Sequence, residues 1–135
     1  AIHLGGASPS MLTPGDLVAL NALLRDRFVV SGNVEFSIEI DPNDMDEPRY
    51  DALARIGTTR VSLGVPDFNP DVQAAINRIQ TYEQTEAVVD AMRKRGVHSV
   101  NLDVLYGLPH QTMSSVEATA RQALSLHPDR LAVFG

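Results

Sequence analysis

Two acids, one arginine and a small-residue loop are the groups in this chain that could do chemistry. Glu39 lies in SIEIDP, Asp103 in VNLDVLYGLP, Arg78 in INRIQ, and the loop is Gly5-Gly6-Ala7-Ser8-Pro9. Both acids occupy strand-like text, and a carboxylate buried there without a partner costs on the order of several kcal/mol. Such acids therefore point to a site or to a structural ion-pair network with Arg60 or Arg78. Small residues let backbone N–H groups approach a ligand closely. An arginine fork binds a carboxylate through two parallel hydrogen bonds. Asp41, just before Pro42, reads as a turn residue, and Asn69 reads as a helix cap. His3, His98, His110 and His127 show no metal-ligand spacing and read as structural or exposed. No Ser-His-Asp or P-loop pattern is present.

The elements that must position these groups alternate in type. Strands are expected at Ile2–Gly6, Val34–Asp41, Arg60–Val65, Val97–Tyr106 and Arg130–Phe134. Helical periodicity lies between them. The first helix opens at Thr13-Pro14-Gly15-Asp16, with Leu17, Leu20, Leu24 and Phe28 as its apolar stripe. The second covers Pro48–Ile56 and stops at Gly57. The third opens at Asn69-Pro70 and runs through Val72, Ala75, Ile76 and Ile79, which places Arg78 on it. The fourth runs from Thr81 to Gly96, with Gln84 completing a capping box. The fifth opens near Ser114 and ends before His127-Pro128. Strand, helix, strand in repetition is the grammar of a parallel sheet.

Four of the five strands carry one polar face. Ser37, Glu39 and Asp41 oppose Phe36, Ile38 and Ile40; Arg60, Ser62 and Gly64 oppose Val61, Leu63 and Val65; Asn101 and Asp103 oppose Val100, Leu102 and Val104. An open doubly wound sheet is apolar on both faces. A curled sheet can keep polar groups inside, with its site at the C-terminal strand ends. The expected fold is α/β: a parallel (βα) partial TIM-type barrel of about five strands with helices outside. Residues 1–135 are expected to form a single domain.

The composition of the 135 residues, 44% hydrophobic and 21% charged, is that of a globular protein. The formal net charge of −6 argues against nucleic acid as partner. No apolar run is long enough to span a bilayer, nothing at the N-terminus resembles a signal peptide, and a cytoplasmic protein is expected. The absence of cysteine leaves no disulfide framework and no thiolate ligand for a metal or cluster.

The motifs IHLGGASPSMLTP, SIEIDP, VSLGVPDFNPDVQAAINRIQ, VNLDVLYGLPHQT and HPDRLAVF occur in an order and spacing that resemble the oxygen-independent coproporphyrinogen III oxidases. These are radical S-adenosylmethionine (SAM) enzymes of haem biosynthesis, and the resemblance covers essentially the whole chain. It implies SAM as cofactor and a 4Fe–4S cluster in the full-length family member. It also implies a 5′-deoxyadenosyl radical and oxidative decarboxylation of two propionates of a porphyrinogen substrate. The family's glycine-rich SAM loop matches Gly5, Gly6, Ala7 and Ser8. Glu39, Arg78 and Asp103 match SAM contacts, Arg78 toward the carboxylate and Asp103 toward the ribose hydroxyls. Pro66 stands where the family has a SAM-contacting glutamine.

Three departures set further expectations. The CxxxCxxC cluster motif is absent, Ala7 replaces a glycine, and Pro66 offers neither a side-chain nor a backbone donor. The chain therefore reads as a cluster-less piece of a longer enzyme, catalytically inactive by itself, with no catalytic or metal-ligating residue of its own. Open strand edges at either end invite self-association. A haem-carrying relative of the same superfamily and a ligand-free scaffold are the alternatives.

Overall fold

The computed structural model describes residues 1–6 and 8–135; Ala7 lies outside the described residues. Its elements in chain order are β1 (Ile2–Leu4), α1 (Pro14–Arg27), β2 (Phe36–Ile40), α2 (Glu47–Arg55), β3 (Arg60–Gly64), α3 (Pro70–Ala75), α4 (Tyr82–Lys94), β4 (Ser99–Leu105), α5 (Met113–Ser125) and β5 (Arg130–Phe134). Among the described residues the strands form one five-stranded parallel sheet in the order β1-β2-β3-β4-β5. The sequential order and single direction match the expected open part of a (βα) barrel. Each strand is shorter than the span expected for it, except β5, because the chain leaves the ladder where the loop residues begin.

Alternation along the strands divides the sheet. Phe36, Ile38, Ile40, Val61, Leu63, Val100, Leu102 and Val104 are buried in the core with Leu17, Leu53, Ile56, Val88, Val89 and Met92 of the helical layer. The opposite face carries polar groups in register: Glu39 stands beside Ser62, Ser62 beside Asn101, and Gly64 beside Asp103. These side chains are only half-buried, apart from Ser37, which is buried.

Local chemistry accounts for the helix ends. Thr13 accepts the Asp16 N–H at 3.1 Å and donates to its carboxylate at 2.7 Å, so Asp16 answers the hydroxyl rather than the Thr13 backbone. Thr81 accepts the Gln84 N–H, but the Gln84 amide turns away to Asn43. The cap of α5 is Thr112 with Ser115 as its reciprocal partner, two residues before the expected start. Asn69 caps α3 as expected.

Two expectations need correction. The third helix ends at Ala75, and Arg78 is not on it. Asn77 takes a left-handed conformation (φ 53°), one that Asn tolerates better than most residues. The buried Gln73 side chain then accepts the Gln80 N–H at 3.2 Å and donates to the Asp67 carbonyl at 2.9 Å, so a side chain supplies the bonds that a longer helix would have made. Ile79 is consequently 59% exposed. The α1 stripe buries only Leu17 fully, Leu20 and Leu24 partly, and leaves Phe28 65% exposed. Helix α1 lies at the end of the layer, beside the edge strand β1.

Arg95 ties α2 to the layer. It bonds Asp51 and Glu47 at 2.7 and 2.6 Å and stands 5.3 Å from the Tyr50 ring centroid. Burial, then Glu47, pushes the Tyr50 phenol pKa up, and Arg95 partly offsets this. The fold therefore favours the neutral phenol. Its contribution is complete below the ordinary phenol value of about 10 and is lost as pH rises through the raised one. In urea unfolding between pH 8 and 11, stability is expected to fall more steeply in the native chain than in Tyr50→Phe. Equal slopes would refute it.

Candidate functional site

The loop after β1, the C-terminal parts of β2, β3 and β4 and the turn after α3 meet at one end of the sheet. Between them lies a cleft of about 240 Å³, lined by Gly6, Ser8, Glu39, Ile40, Asp41, Ser62, Gly64, Arg78 and Asp103. Five of the expected site residues, Gly6, Ser8, Glu39, Arg78 and Asp103, are thus brought together. Gly5 adjoins the cleft. Pro66 does not line it; it is buried, and its carbonyl accepts the Leu105 N–H at 3.2 Å. The Ala7 assignment lies outside the described residues.

The loop after β1 is shaped by contact with Glu39. The Gly6 N–H donates to Glu39 Oε2 at 3.1 Å, and Gly6 has φ 109°, a conformation that disfavours any side chain. A Cβ on Gly5 would collide with the His3 ring and lie 2.8 Å from Glu39 Oε1. His3 is in turn held by Ser37, Nδ1 to Oγ 2.9 Å, and its Nε2 faces Glu39 at 3.4 Å. Ser10 sews the next turn down: its hydroxyl accepts the Asp41 N–H at 3.0 Å and donates to Asp44 at 2.9 Å.

Arg78 enters from the turn that ends α3. Its guanidinium lies across Gly64, where a Cβ would stand 3.0 Å from Nη2 and 3.4 Å from Nη1. Nη2 reaches the Gly64 carbonyl at 3.4 Å and Asp41 Oδ2 at 3.5 Å, both long. Nε is buried with no hydrogen-bond partner among the described residues. Gln80 donates to the same Gly64 carbonyl at 2.9 Å and fixes the turn that carries Arg78. Asp103 accepts from Asn101 at 2.8 Å, so the structural network with Arg60 or Arg78 does not form; Arg60 pairs with Glu35 instead, at 2.7 Å.

The cleft thus sets three carboxylates against one guanidinium with unused donor capacity. That set suits a ligand with both a cationic and a carboxylate end and with hydroxyls for Asp103 to accept from. Its volume falls below the about 300 Å³ at which small-molecule pockets usually begin. It therefore has room for only part of a ligand of ordinary small-molecule size. A larger open hollow of about 600 Å³ lies at the β1 edge, lined by Leu24, Phe28, Val29 and Val30 among others. Its charged side chain, Glu35, is already paired with Arg60. We place the chemistry in the smaller cleft, where polar groups converge.

Asp41, Ser62, Gly64 and Ile40 are lining residues beyond the expected set. Asp41 does hold its turn, accepting the Asn43 N–H at 2.9 Å, yet its other oxygen faces Arg78. Ser62 was legible from register alone, and Gly64 as a gap on the polar face of β3. Among the described residues no group of three or more His, Cys, Asp or Glu is arranged to hold a metal.

This chain belongs to the radical SAM superfamily, whose profile matches residues 1–123. The superfamily works with SAM and a 4Fe–4S cluster. Within it, the chain is 46% identical over 134 residues to the oxygen-independent coproporphyrinogen III oxidase of Bradyrhizobium diazoefficiens, covering 99% of this chain and 30% of that protein. Its fold superposes on the Escherichia coli coproporphyrinogen III oxidase with a TM-score of 0.93 at 40% identity, covering 98% of this chain and 30% of that one. The radical SAM methyltransferase TsrM of Kitasatospora setae shares the fold at a TM-score of 0.77 and 21% identity, over 97% of this chain and 26% of its own. The chain thus spans about a third of the length of the oxidases it matches.

Proposed function

We propose that this chain forms the SAM half-site of a radical SAM coproporphyrinogen III oxidase. The carrying observation is the convergence of Glu39, Arg78 and Asp103 on one cleft, with an unpartnered arginine Nε and a glycine where a side chain would push the guanidinium away. Arg78 takes the methionine carboxylate. Glu39, oriented by Gly6 and His3, and the loop Gly5, Gly6, Ala7 and Ser8 hold the amino group. Asp103 accepts from the ribose hydroxyls. Pro66 follows β3 but lies outside the cleft lining, so it takes no part in this half-site.

The cluster does not fit this chain, which has no cysteine. Without cluster ligands the 135-residue chain alone is inactive. The longer protein converts the propionates of coproporphyrinogen III to the vinyl groups of protoporphyrinogen IX. Its partners are SAM and the porphyrinogen, with no part for nucleic acid. No helix is long and apolar enough to cross a membrane among the described residues, and a cytoplasmic location accords with that. We take residues 1–135 as one barrel piece whose free β1 and β5 edges favour self-association when it stands alone.

Calorimetric titration of SAM into the chain tests the half-site. Saturable binding is expected, weakened about tenfold in Asp103→Ala, the effect of losing hydrogen bonds to a charged acceptor. No heat at millimolar SAM would overturn the proposal.

A further inference from the structure

We infer that Asp41 is a specificity-determining residue that keeps phosphate-bearing nucleotides off Arg78. The inference rests on the SAM reading of the cleft. A site that binds adenosine and an arginine-seeking anion is open to adenosine phosphates, because phosphate fits the arginine fork as well as carboxylate does. Adenosine diphosphate carries the shared nucleoside and an anionic arm of reach similar to that of the methionine arm.

Three carboxylates line the cleft, and their placement differs. Glu39 is engaged by the Gly6 N–H and His3. Asp103 is engaged by Asn101. Asp41 alone among the described acids forms an ion pair with Arg78, Oδ2 to Nη2 at 3.5 Å. Its other oxygen accepts both the backbone N–H and the side-chain amide of Asn43, at 2.9 and 3.1 Å, and its own N–H is held by Ser10. The carboxylate is therefore clamped by the turn and cannot swing away when a ligand arrives.

A fixed negative charge at that distance acts differently on the two ligand classes. A monoanionic carboxylate on a ligand whose sulfonium and ammonium are both cationic gains from the acidic surroundings overall. A diphosphate carries more negative charge, with no cation to offset it, into the same field. Repulsion against the wrong ligand is how sites discriminate between molecules that share most of their contacts. The loose ion pair suits this role: 3.5 Å is too long to occupy the guanidinium fully, and Nε stays free for a ligand.

Asp41→Asn tests it, since asparagine keeps the Oδ1 acceptor for Asn43 and replaces the Oδ2 that faces Arg78 by an uncharged amide NH2, which removes both the charge and the ion pair. Calorimetry gives the affinities of every variant for SAM, for ADP in magnesium-free buffer and for inorganic pyrophosphate, and in ¹⁵N-arginine-labelled chains that keep Arg78 its Nε resonance is followed during the same titrations. For partly solvated charges a few ångströms apart, ADP and pyrophosphate should bind roughly fivefold tighter to Asp41→Asn and SAM roughly threefold weaker. The gain should vanish in the Asp41→Asn/Arg78→Gln double variant and shrink with added salt. Unchanged ADP and pyrophosphate affinity in Asp41→Asn, or a gain that survives Arg78→Gln, overturns the inference. If the native chain ignores SAM while the pyrophosphate gain appears and depends on Arg78, the SAM reading fails and the exclusion role of Asp41 stands.

Discussion

Asp67→Ala is expected to lower the unfolding free energy by about 3 kcal/mol, a large part of the roughly 5–15 kcal/mol that a domain possesses. Asp67 is 2% exposed and has no cation within ion-pair distance among the described residues. Its charge is held by hydrogen bonds. Oδ1 accepts from the Asn69 N–H and the Thr119 hydroxyl, both at 2.7 Å, and Oδ2 accepts from Gln111 Nε2 at 2.6 Å. Gln111 also donates to the Leu105 carbonyl and accepts the Leu108 N–H, and Thr119 accepts the Phe68 N–H. One carboxylate therefore joins the loop after β3, the loop after β4 and helix α5. Truncation leaves three donors without acceptors, and relaxation of the loops recovers part of that cost. Asp67→Asn separates charge from shape, because its amide sets a donor against Gln111. Urea unfolding of both variants decides the matter. A loss below 1 kcal/mol for Asp67→Ala would show that water replaces the network freely.

Arg78→Gln should weaken SAM at least about thirtyfold, the scale of losing a charge-assisted bidentate pair. Its melting temperature should match that of the native chain. The reason is in the contacts: Arg78 makes only long bonds within the protein, 3.4 and 3.5 Å, so little structure depends on it. The Arg78→Lys chain keeps the charge but loses the planar fork, and it is expected to recover little affinity. Calorimetry paired with thermal melts distinguishes the cases. Full affinity in the lysine variant would reduce Arg78 to a point charge, and a lower melting temperature would make it structural.

Periodicity carried most of the architecture. Period-two alternation in β2, β3 and β4 separated a core face from a polar face, and the inward acids Glu39 and Asp103 followed from parity alone. Where tertiary bonds outbid local pattern, the sequence was mute. Ile76 and Ile79 extend the apolar spacing of α3, but the Gln73 side chain captures the Gln80 backbone seven residues on and closes the turn, a side-chain choice that apolar spacing cannot express. Phe28 fits the α1 stripe, yet α1 is the outermost helix and has no neighbour there. Asp41 before Pro42 is a sufficient turn residue, so its second oxygen went unread; only the fold brings Arg78 to it. Pro66 follows β3 directly, but the chain turns it into the protein and away from the cleft.

The strict neighbour order of the sheet gives the chain the energetics of a linear array. Each strand pairs only with the strands adjacent to it in sequence, so cohesion is a sum of nearest-neighbour terms, as in solenoid repeats. In the described sheet β1 and β5 have one strand neighbour each, and the residues of β5 are mostly exposed. Glu39, Gly64 and Asp103 sit on the three interior units. Glu39 and Asp103 therefore rest on strands paired on both sides, whereas Gly6 and Ser8 of the same cleft follow β1, which is paired on one, so the cleft joins the interior of the array to its edge.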